Sequence, residues 1–235
     1  MRIKRSAETV SDLIDFLGRI PLFSDLKADS LANLAQSGRL MRVERGQFIF
    51  YQSDFAENCY LVLSGLVSIL LESFDGREMV INEMRPADIF GELGVLTGQS
   101  RSASAVARTD SELLVFPRQA FQGILEAEPL LTRRILEITA NRLRGSSQRE
   151  SALAFLDAQA RLARILLQLD EQEAEKGYVT ISQEELAQRT GQTRQTVAKA
   201  LSRWRRAGWL ITGRGHILLL KQAELSHLEK EWLNE

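Results

Sequence analysis

The stretch YVTISQEELAQRTGQTRQTVAKALSRWRRAGWLITGRGHILLL, residues 178–220, carries the strongest structural signal of the chain. Ser182 is followed three residues later by Glu185, the pattern of a capping box at the start of a helix. Gly191 is suited to a sharp turn, and Thr193 is suited to cap a second helix directly after it. Two short helices joined by such a turn predict a helix-turn-helix.

The second helix and the segment after it complete this motif. We expect the helix to run through Arg206 and to end at Gly208. Its inward-facing residues recur at helical spacing and are Val197, Leu201 and Trp204. The run WLITGRGHILLL then predicts a β-hairpin with Gly213-Arg214-Gly215 at its tip, which makes the motif a winged helix-turn-helix.

The surface that reads DNA is expected at the start of the second helix, with supporting contacts from the wing. Arg and Gln side chains there can form bidentate hydrogen bonds with base edges in the major groove. The residues that we expect at the DNA are Ser182, Thr193, Arg194, Gln195, Thr196, Lys199, Arg203, Gly213 and Arg214. The alternative interpretation is a solvated basic helix beside an ordinary hairpin.

The distribution of charge favours the DNA-binding interpretation. Residues 180–222 hold eight basic and two acidic side chains, a net charge of +6. Because the whole chain has a formal charge of -1, the remainder carries -7. A basic C-terminal module on an acidic body is typical of a nucleic-acid partner.

The composition narrows the class of protein further. A length of 235 residues predicts two domains, and 44% hydrophobic residues suffice for ordinary cores. With one cysteine, Cys59, and two histidines, His216 and His227, we expect neither a disulfide within the chain nor a heme or multi-histidine metal site. Without a leader or an apolar span, we expect a cytoplasmic protein with no membrane partner. A Walker motif and a clustered catalytic set are both missing from the sequence, so we expect no enzymatic activity and no prosthetic group.

The N-terminal half changes its pattern along the chain. Residues 9–17 and 29–36 have the spacing of short amphipathic helices. From Leu40 to Phe116, short apolar or alternating runs separated by turn residues predict an all-β antiparallel sandwich or barrel, with Asp75-Gly76 as a hairpin turn. We expect domains at 1–128 and 153–235, joined by a helix and hinge at 129–152.

The helix predicted from Pro129 to about Ser151 has two apolar stripes. The first contains Leu136, Ala140, Leu143 and Ser147, and the second contains Leu131, Ile135 and Ile138. One stripe is expected to pack on the barrel and the other on a second copy of the chain, as in a parallel coiled coil. The alternative is a helix wedged between two domains of one chain. A further helix is expected from Leu153 to Glu175.

The run FGELGVLTGQSRSASAVA, residues 90–107, suggests an anion pocket. Gly91 permits close backbone approach, and the amides of Gly91, Glu92 and Leu93 could form an anion nest. Glu92 could accept a hydrogen bond from a sugar hydroxyl, while Arg101 and Ser102 offer a forked cation and a hydroxyl to a phosphate. A structural ion pair between Arg101 and Glu92 is the alternative.

At these two segments the sequence resembles the catabolite activator protein / fumarate-nitrate regulator superfamily, over about residues 20–222. The resemblance implies an α+β chain with a double-stranded β-helix (jelly roll), a long dimerisation helix and a C-terminal winged helix-turn-helix. Gly91, Glu92, Leu93, Arg101 and Ser102 match the phosphate-binding cassette of this family, in which the Glu meets the ribose and the Arg meets the cyclic phosphate.

The resemblance also implies further sites and partners. Counting back from the hinge-like run SALAFLD at 151–157, Ser146 and Ser147 match positions that contact the purine, one from each subunit. The implied effector is a cyclic nucleotide, cAMP or cGMP. The implied partners are double-stranded DNA with an inverted-repeat site, a second copy of the chain, and RNA polymerase if the protein is an activator. Two departures are Ser100, where a proline is common, and Gln195, where the activator has a Glu.

Three functions remain open at this point. The favoured one is a homodimeric transcription regulator gated by a cyclic nucleotide. The second is a constitutive DNA-binding regulator whose barrel binds another effector or only supports dimerisation. The third, a cyclic-nucleotide module that gates an enzyme or channel, leaves the basic helix-turn-helix unexplained.

Overall fold

The computed structural model describes residues 7–73 and 76–230 of the chain. These form two compact units. The first comprises the residues up to Leu71 together with Asn82–Leu143, and the second comprises Glu72–Ile81 together with Arg144–Glu235. Asp75 of the expected hairpin turn lies outside the described residues.

Thirteen helices and strands make up the chain from residue 7 through the long helix. They are α1 Ala7–Arg19, α2 Ala28–Ser37, β1 Arg39–Val43, β2 Phe48–Phe50, β3 Asn58–Ser64, β4 Val67–Glu72, β5 Glu78–Met84, β6 Ile89–Phe90, α3 Glu92–Thr97, β7 Ser104–Ala107, β8 Ser111–Pro117, α4 Arg118–Ala127 and α5 Pro129–Phe155. Their order is helical, then mostly β, then helical, so the segment expected to be β is confirmed apart from α3.

The strands form two four-stranded antiparallel sheets, β1-β8-β3-β6 and β2-β7-β4-β5. Alternate residues of β8 face two different cores. Leu113 and Val115 join the cluster between the sheets. Leu114 and Phe116 join a second cluster with the helices α1, α2, α4 and the start of α5. A strand buried on both faces reads as a continuous apolar run, which explains the sequence ELLVF.

The helix α3 corrects the expectation that residues 40–116 are entirely β. Gly91, directly before α3, has φ of 74° and ψ of 6°, a left-handed conformation that redirects the chain after β6. Val95 then packs the short helix into the second cluster, the one that β8 shares with α1, α2, α4 and the start of α5. The reversal depends on one glycine, and the apolar spacing around it also fits a strand.

Seven elements complete the second unit: α6 Ala158–Gln172, β9 Val179–Thr180, α7 Gln183–Thr190, α8 Arg194–Arg206, β10 Leu210–Gly213, β11 His216–Leu219 and α9 Gln222–Lys230. The strands form one sheet in the order β10-β11-β9. Val197, Leu201 and Trp204 of α8 are all buried in the core of this unit, as expected.

The predicted helix-turn-helix is confirmed in its local detail. The Ser182 hydroxyl accepts a hydrogen bond from the amide of Glu185 at 3.1 Å, and Gly191 ends α7 with φ of 65°. Thr193 caps α8 by accepting from the amide of Thr196 at 3.1 Å. The second half of the capping box differs, because the Glu185 carboxylate forms an ion pair with Arg189 at 3.2 Å.

The expected helix break before Leu153 is wrong. The helix α5 continues to Phe155, and α6 begins at Ala158. The break is set by Asp157, whose carboxylate accepts a hydrogen bond from the amide of Ala160 at 2.7 Å and so caps α6. Within residues 7–73 and 76–230, none of the helices combines the length and apolar character needed to cross a bilayer.

Two turn glycines of the barrel provide a test of its packing. Gly65 has φ of +93°, and a Cβ there would lie 2.2 Å from the Ser111 hydroxyl and 2.7 Å from the Asp110 carbonyl oxygen. Gly46 has φ of +86° with open space around it. Gly65→Ala is therefore expected to lower the free energy of unfolding by about 2–5 kcal/mol, from backbone strain and overpacking together.

Gly46→Ala is the matched control, with an expected cost of about 1–3 kcal/mol from the backbone alone. Hydrogen exchange of the β8 amides measures the barrel's opening free energy in each variant. Equal losses in the two variants would contradict the packing shown around Gly65.

Candidate functional site

The cassette residues lie at the junction of β6 and α3, inside the first unit. Gly91 is required there for two reasons. Its φ of +74° favours glycine, and a Cβ would lie 2.8 Å from Nη1 of Arg101. The backbone at residue 91 and the Arg101 guanidinium are therefore in direct contact, while the anion nest expected at Gly91, Glu92 and Leu93 stays a prediction.

Arg101 is a buried cation, with 5% of its surface exposed. Its Nη1 donates to the carbonyl oxygen of Gly91 at 2.6 Å, and its Nη2 donates to that of Asn58 at 2.5 Å. The guanidinium carbon lies 4.2 Å from the centre of the Phe50 ring. Nε is buried and has no hydrogen-bond partner among the described residues. The direct hydrogen-bond acceptors of the guanidinium are thus neutral.

Burial determines the charge states around this cation. It lowers the pKa of Arg101 from its ordinary value, yet an arginine side chain stays protonated in proteins. Burial likewise raises the pKa of Tyr60 and raises the pKa of Cys59 well above its ordinary value, so both groups are neutral at pH 7. Asp54 provides a smaller attraction to Arg101. An added anion would therefore meet a desolvated positive charge.

Glu92 has a different partner from the one considered in the sequence. It is 2% exposed, and its Oε1 accepts from Nη1 of Arg142 at 2.6 Å. Nη2 of Arg142 also donates to the carbonyl oxygen of Ile89 at 2.5 Å. The alternative of an Arg101–Glu92 pair is not what the structure contains, because each side chain is engaged elsewhere. Leu93 and Ser102 are exposed.

Arg142 is a site residue that the sequence reasoning missed. It lies on α5 at the spacing of the barrel-facing stripe, after Leu131, Ile135 and Ile138. A charged residue that continues an apolar stripe signals a buried partner, and that signal was present in the sequence. Ser146 and Ser147 lie farther along α5, within the second unit, where the Ser146 hydroxyl is 3.3 Å from Oε1 of Glu150. Their contact with a ligand stays a prediction.

The expected DNA-reading side chains of α8 are exposed. Arg194, Gln195, Thr196, Lys199 and Arg203 all lie outside the buried stripe of the same helix. Arg194 is at the border of that stripe, where it lines a groove together with Leu201. Nη1 of Arg203 is 3.4 Å from Oε1 of Gln159, a long hydrogen bond at the surface. The first turn of α8 therefore presents a cation and an amide in succession.

The wing continues this surface. The hairpin β10–β11 pairs Gly213 with His216, which leaves Arg214 and Gly215 as its two-residue turn. A groove of about 370 Å³ separates the wing from the start of α7. Its lining residues are Ile181, Ser182, Gln183, Glu184, Arg194, Leu201, Thr212, Gly213, Gly215 and Ile217. The structure thus brings Ser182, Arg194 and Gly213, which the sequence placed at the DNA, to one concave surface.

Comparisons with known proteins identify both domains. Residues 40–128 match the family model of the cyclic nucleotide-binding domain, and residues 160–228 match the Crp-like helix-turn-helix domain. The chain is 31% identical over 202 residues to the CRP-like cAMP-activated global transcriptional regulator of Mycobacterium tuberculosis (strain CDC 1551 / Oshkosh), covering 83% of this chain and 90% of the relative. It is 32% identical over 209 residues to the cyclic AMP receptor protein of Thermus thermophilus, covering 88% of this chain and 96% of the relative.

A solved structure agrees with the whole architecture. The c-di-GMP responsive global regulator CLP of Xanthomonas campestris superposes with a TM-score of 0.74 at 25% identity, covering 82% of this chain and 99% of that one. These matches confirm the resemblance and the fold class inferred from the sequence. The chain belongs to the CRP/FNR family of transcription regulators, with a cyclic nucleotide-binding domain followed by a Crp-like helix-turn-helix domain.

Proposed function

We propose that this regulator binds a cyclic nucleotide such as cAMP or cGMP in its barrel and binds DNA sequence-specifically as a homodimer. The observation that carries the effector proposal is the buried Arg101. Its direct partners are carbonyl oxygens and aromatic rings, and its Nε has no partner among the described residues. Such a group gains more from a phosphate than an exposed arginine, because its desolvation cost has already been met by the fold.

The other cassette residues fit the rest of a nucleotide. Glu92 is acceptor-only when ionised and so suits the hydroxyl of a ribose, while Ser102 and the backbone at Gly91 and Leu93 suit phosphate oxygens. A ribose at Glu92 would share that carboxylate with Arg142 of α5. Ligand binding would thereby act on the helix directly, and Ser146 and Ser147 would meet the purine as the family resemblance implies. This is the contact through which we infer that the effector changes the protein.

The names of the relatives support a cyclic nucleotide as the effector, but they name different nucleotides. Two curated relatives are described as a cAMP-activated regulator and a cyclic AMP receptor, and a structural neighbour is described as c-di-GMP responsive. A cyclic mononucleotide fits the single buried guanidinium better, since one arginine can neutralise one phosphate.

The helix α5 supports the proposal of a dimer. Leu131 and Ile135 are buried in the cluster that β8 shares with the helices of the first unit, whereas Leu136 is 67% exposed and Leu143 is 68% exposed. Two large apolar side chains at coiled-coil spacing on one exposed face are costly in water. A second copy of the same helix would cover them, with the small Ala140 between.

The face of α8 supports a sequence-specific contact. Arg194 is suited to the O6 and N7 atoms of guanine, and the amide of Gln195 is suited to the N7 and N6 edge of adenine. Lys199, Arg203 and Arg214 would contact phosphates, as would the capped helix starts at Ser182, Thr193 and Thr196. A dimer would present two such faces, so the site is an inverted repeat with half-sites about 34 Å apart. If the protein is an activator, RNA polymerase is a further partner.

The effector proposal is tested by Arg101→Lys. Lysine keeps the charge but cannot form the bidentate hydrogen bonds of a guanidinium. We therefore expect the affinity for a cyclic nucleotide to fall at least about tenfold, on the order of 1.5–3 kcal/mol. Isothermal titration calorimetry with cAMP, cGMP and c-di-GMP measures this, with a thermal melt to verify folding.

Arg108→Lys is the matched control, since Arg108 lies at the other end of β7 and bonds to Ser68 at 2.9 Å. Its affinity is expected to equal that of the wild type. Failure of all three nucleotides to bind the wild type at millimolar concentration would leave the barrel as a scaffold or a site for another effector.

The dimer proposal is tested by Leu143→Asp. The variant would bury an unpaired carboxylate in the interface between the two copies of α5, at a cost of several kcal/mol, and is expected to sediment as a monomer. Gln148→Asp places the same charge at an exposed position of α5 away from the leucine face and is expected to remain dimeric. An unchanged sedimentation coefficient for Leu143→Asp would move the interface to another surface.

The specificity proposal is tested by Gln195→Glu. A carboxylate only accepts hydrogen bonds, so the preference at the base next to the Arg194 contact is expected to move from adenine toward cytosine by about 1–3 kcal/mol. Selection from random DNA followed by sequencing measures the change.

Lys199→Ala provides the contrasting control. It is expected to weaken binding to all DNA sequences alike and to reduce the magnitude of the slope of log K against log salt concentration, here called the salt slope, by about 0.9. If the wild type and Gln195→Glu select the same DNA site, residue 195 does not contact a base.

A further inference from the structure

The ring of His216 lies directly on the α-carbon of Gly213. A Cβ at Gly213 would be 2.0 Å from Nε2 and 2.1 Å from Cε1 of His216. Such distances do not occur between real atoms, so the distal edge of the imidazole occupies the place where a side chain at residue 213 would be. The two residues are directly opposite each other in the hairpin register.

The space at this glycine is limited by the ring and not by the backbone. Gly213 is not among the positive-φ residues, so an L-residue with a side chain could adopt its conformation. Gly215, in the turn, differs because its φ of +77° favours glycine whatever the space around it. The two glycines of the wing tip therefore have separate physical causes.

The opposite side of the imidazole contacts Tyr178. The two ring centres are 5.7 Å apart at an interplanar angle of 63°, an edge-to-face contact. His216 also pairs with Thr180 of β9 in the sheet. Its ring thus contacts Tyr178, directly before β9, and Gly213, at the end of β10.

This packing adds a side-chain contact between the two residues that flank the wing turn, which are already paired in the hairpin. Arg214 and Gly215 are the only residues between Gly213 and His216 in the chain. A turn whose ends are held in contact loses less conformational freedom on binding than an unsupported one, and preorganisation of that kind raises affinity.

We propose that His216 is a positioning residue of the wing, whose ring, seated between Tyr178 and Gly213, directs Arg214 toward a DNA phosphate. This inference rests on the proposed phosphate contact of Arg214. His216 itself need not touch DNA, and the shape of its ring matters more than its charge. His216→Phe should accordingly preserve the function that His216→Ala loses.

The packing is testable without DNA by NMR. The α-protons of Gly213 lie against an aromatic ring and are expected to show a ring-current shift in the full chain. The shift is expected to disappear in His216→Ala and to persist in His216→Phe. A Gly213 resonance that does not respond to His216→Ala would overturn the proposal, whatever its DNA affinity.

The role in DNA binding is tested by a double-mutant cycle on the full chain with a selected operator. Gly213→Ala alone would displace the ring, and we expect an affinity loss on the order of tenfold, as for a lost charge-assisted hydrogen bond. Its salt slope is expected to fall by about 0.9, matching Arg214→Ala. In a His216→Ala background, Gly213→Ala is expected to cause no further loss, because the ring is already gone.

Leu218→Ala, a neighbouring exposed position of β11, is the matched control and is expected to keep the wild-type salt slope. Equal losses from Gly213→Ala in both backgrounds would overturn the role of the ring. A normal salt slope for Arg214→Ala, with the ring-current shift intact, would instead remove the phosphate contact from the proposed function and leave the packing standing.

Discussion

A guanidinium buried in an aromatic core is the constraint on which the first unit depends. Arg101 lies against Phe50 and donates to two carbonyl oxygens, from Gly91 and Asn58. A buried cation without partners would cost several kcal/mol, so the strands that hold those carbonyls cannot shift independently. The left-handed backbone at Gly91 satisfies this condition and also begins α3. The barrel is thus organised around a buried positive charge whose direct hydrogen-bond acceptors are neutral.

The same junction connects the site to the long helix. Arg142 reaches from α5 to Glu92 and to the carbonyl oxygen of Ile89. A ligand that competes for the Glu92 carboxylate would change the partners of a residue on α5, and a ligand shifts an equilibrium only through such differential contacts. The helix carries exposed leucines on another face, including Leu143. One element therefore bears both the ion pair with Glu92 and the proposed interface between copies.

Features of the fold encoded by neighbouring residues were predictable from the sequence. The caps at Ser182 and Thr193 act over three residues, and both occur as expected. The break between α5 and α6 was predicted too early in the chain. It is set by the Asp157 cap, which also acts over three residues. The partner of Glu92 was missed for a different reason, since 50 residues separate it from Arg142. Contacts at that separation depend on how the helix packs, which periodicity alone does not determine.

Arg101 and Arg214, for which phosphate contacts are proposed, each follow a glycine whose missing Cβ leaves room for another side chain. At Gly91 the absent Cβ leaves room for the guanidinium, and at Gly213 it leaves room for the His216 ring. In each case a glycine is selected by a side chain that comes later in the sequence. A Gly-to-Arg spacing in the cassette and a Gly-to-His spacing in the wing therefore describe packing requirements. A side chain at Gly91 would displace the Arg101 guanidinium itself, whereas one at Gly213 would displace the His216 ring that we propose positions Arg214.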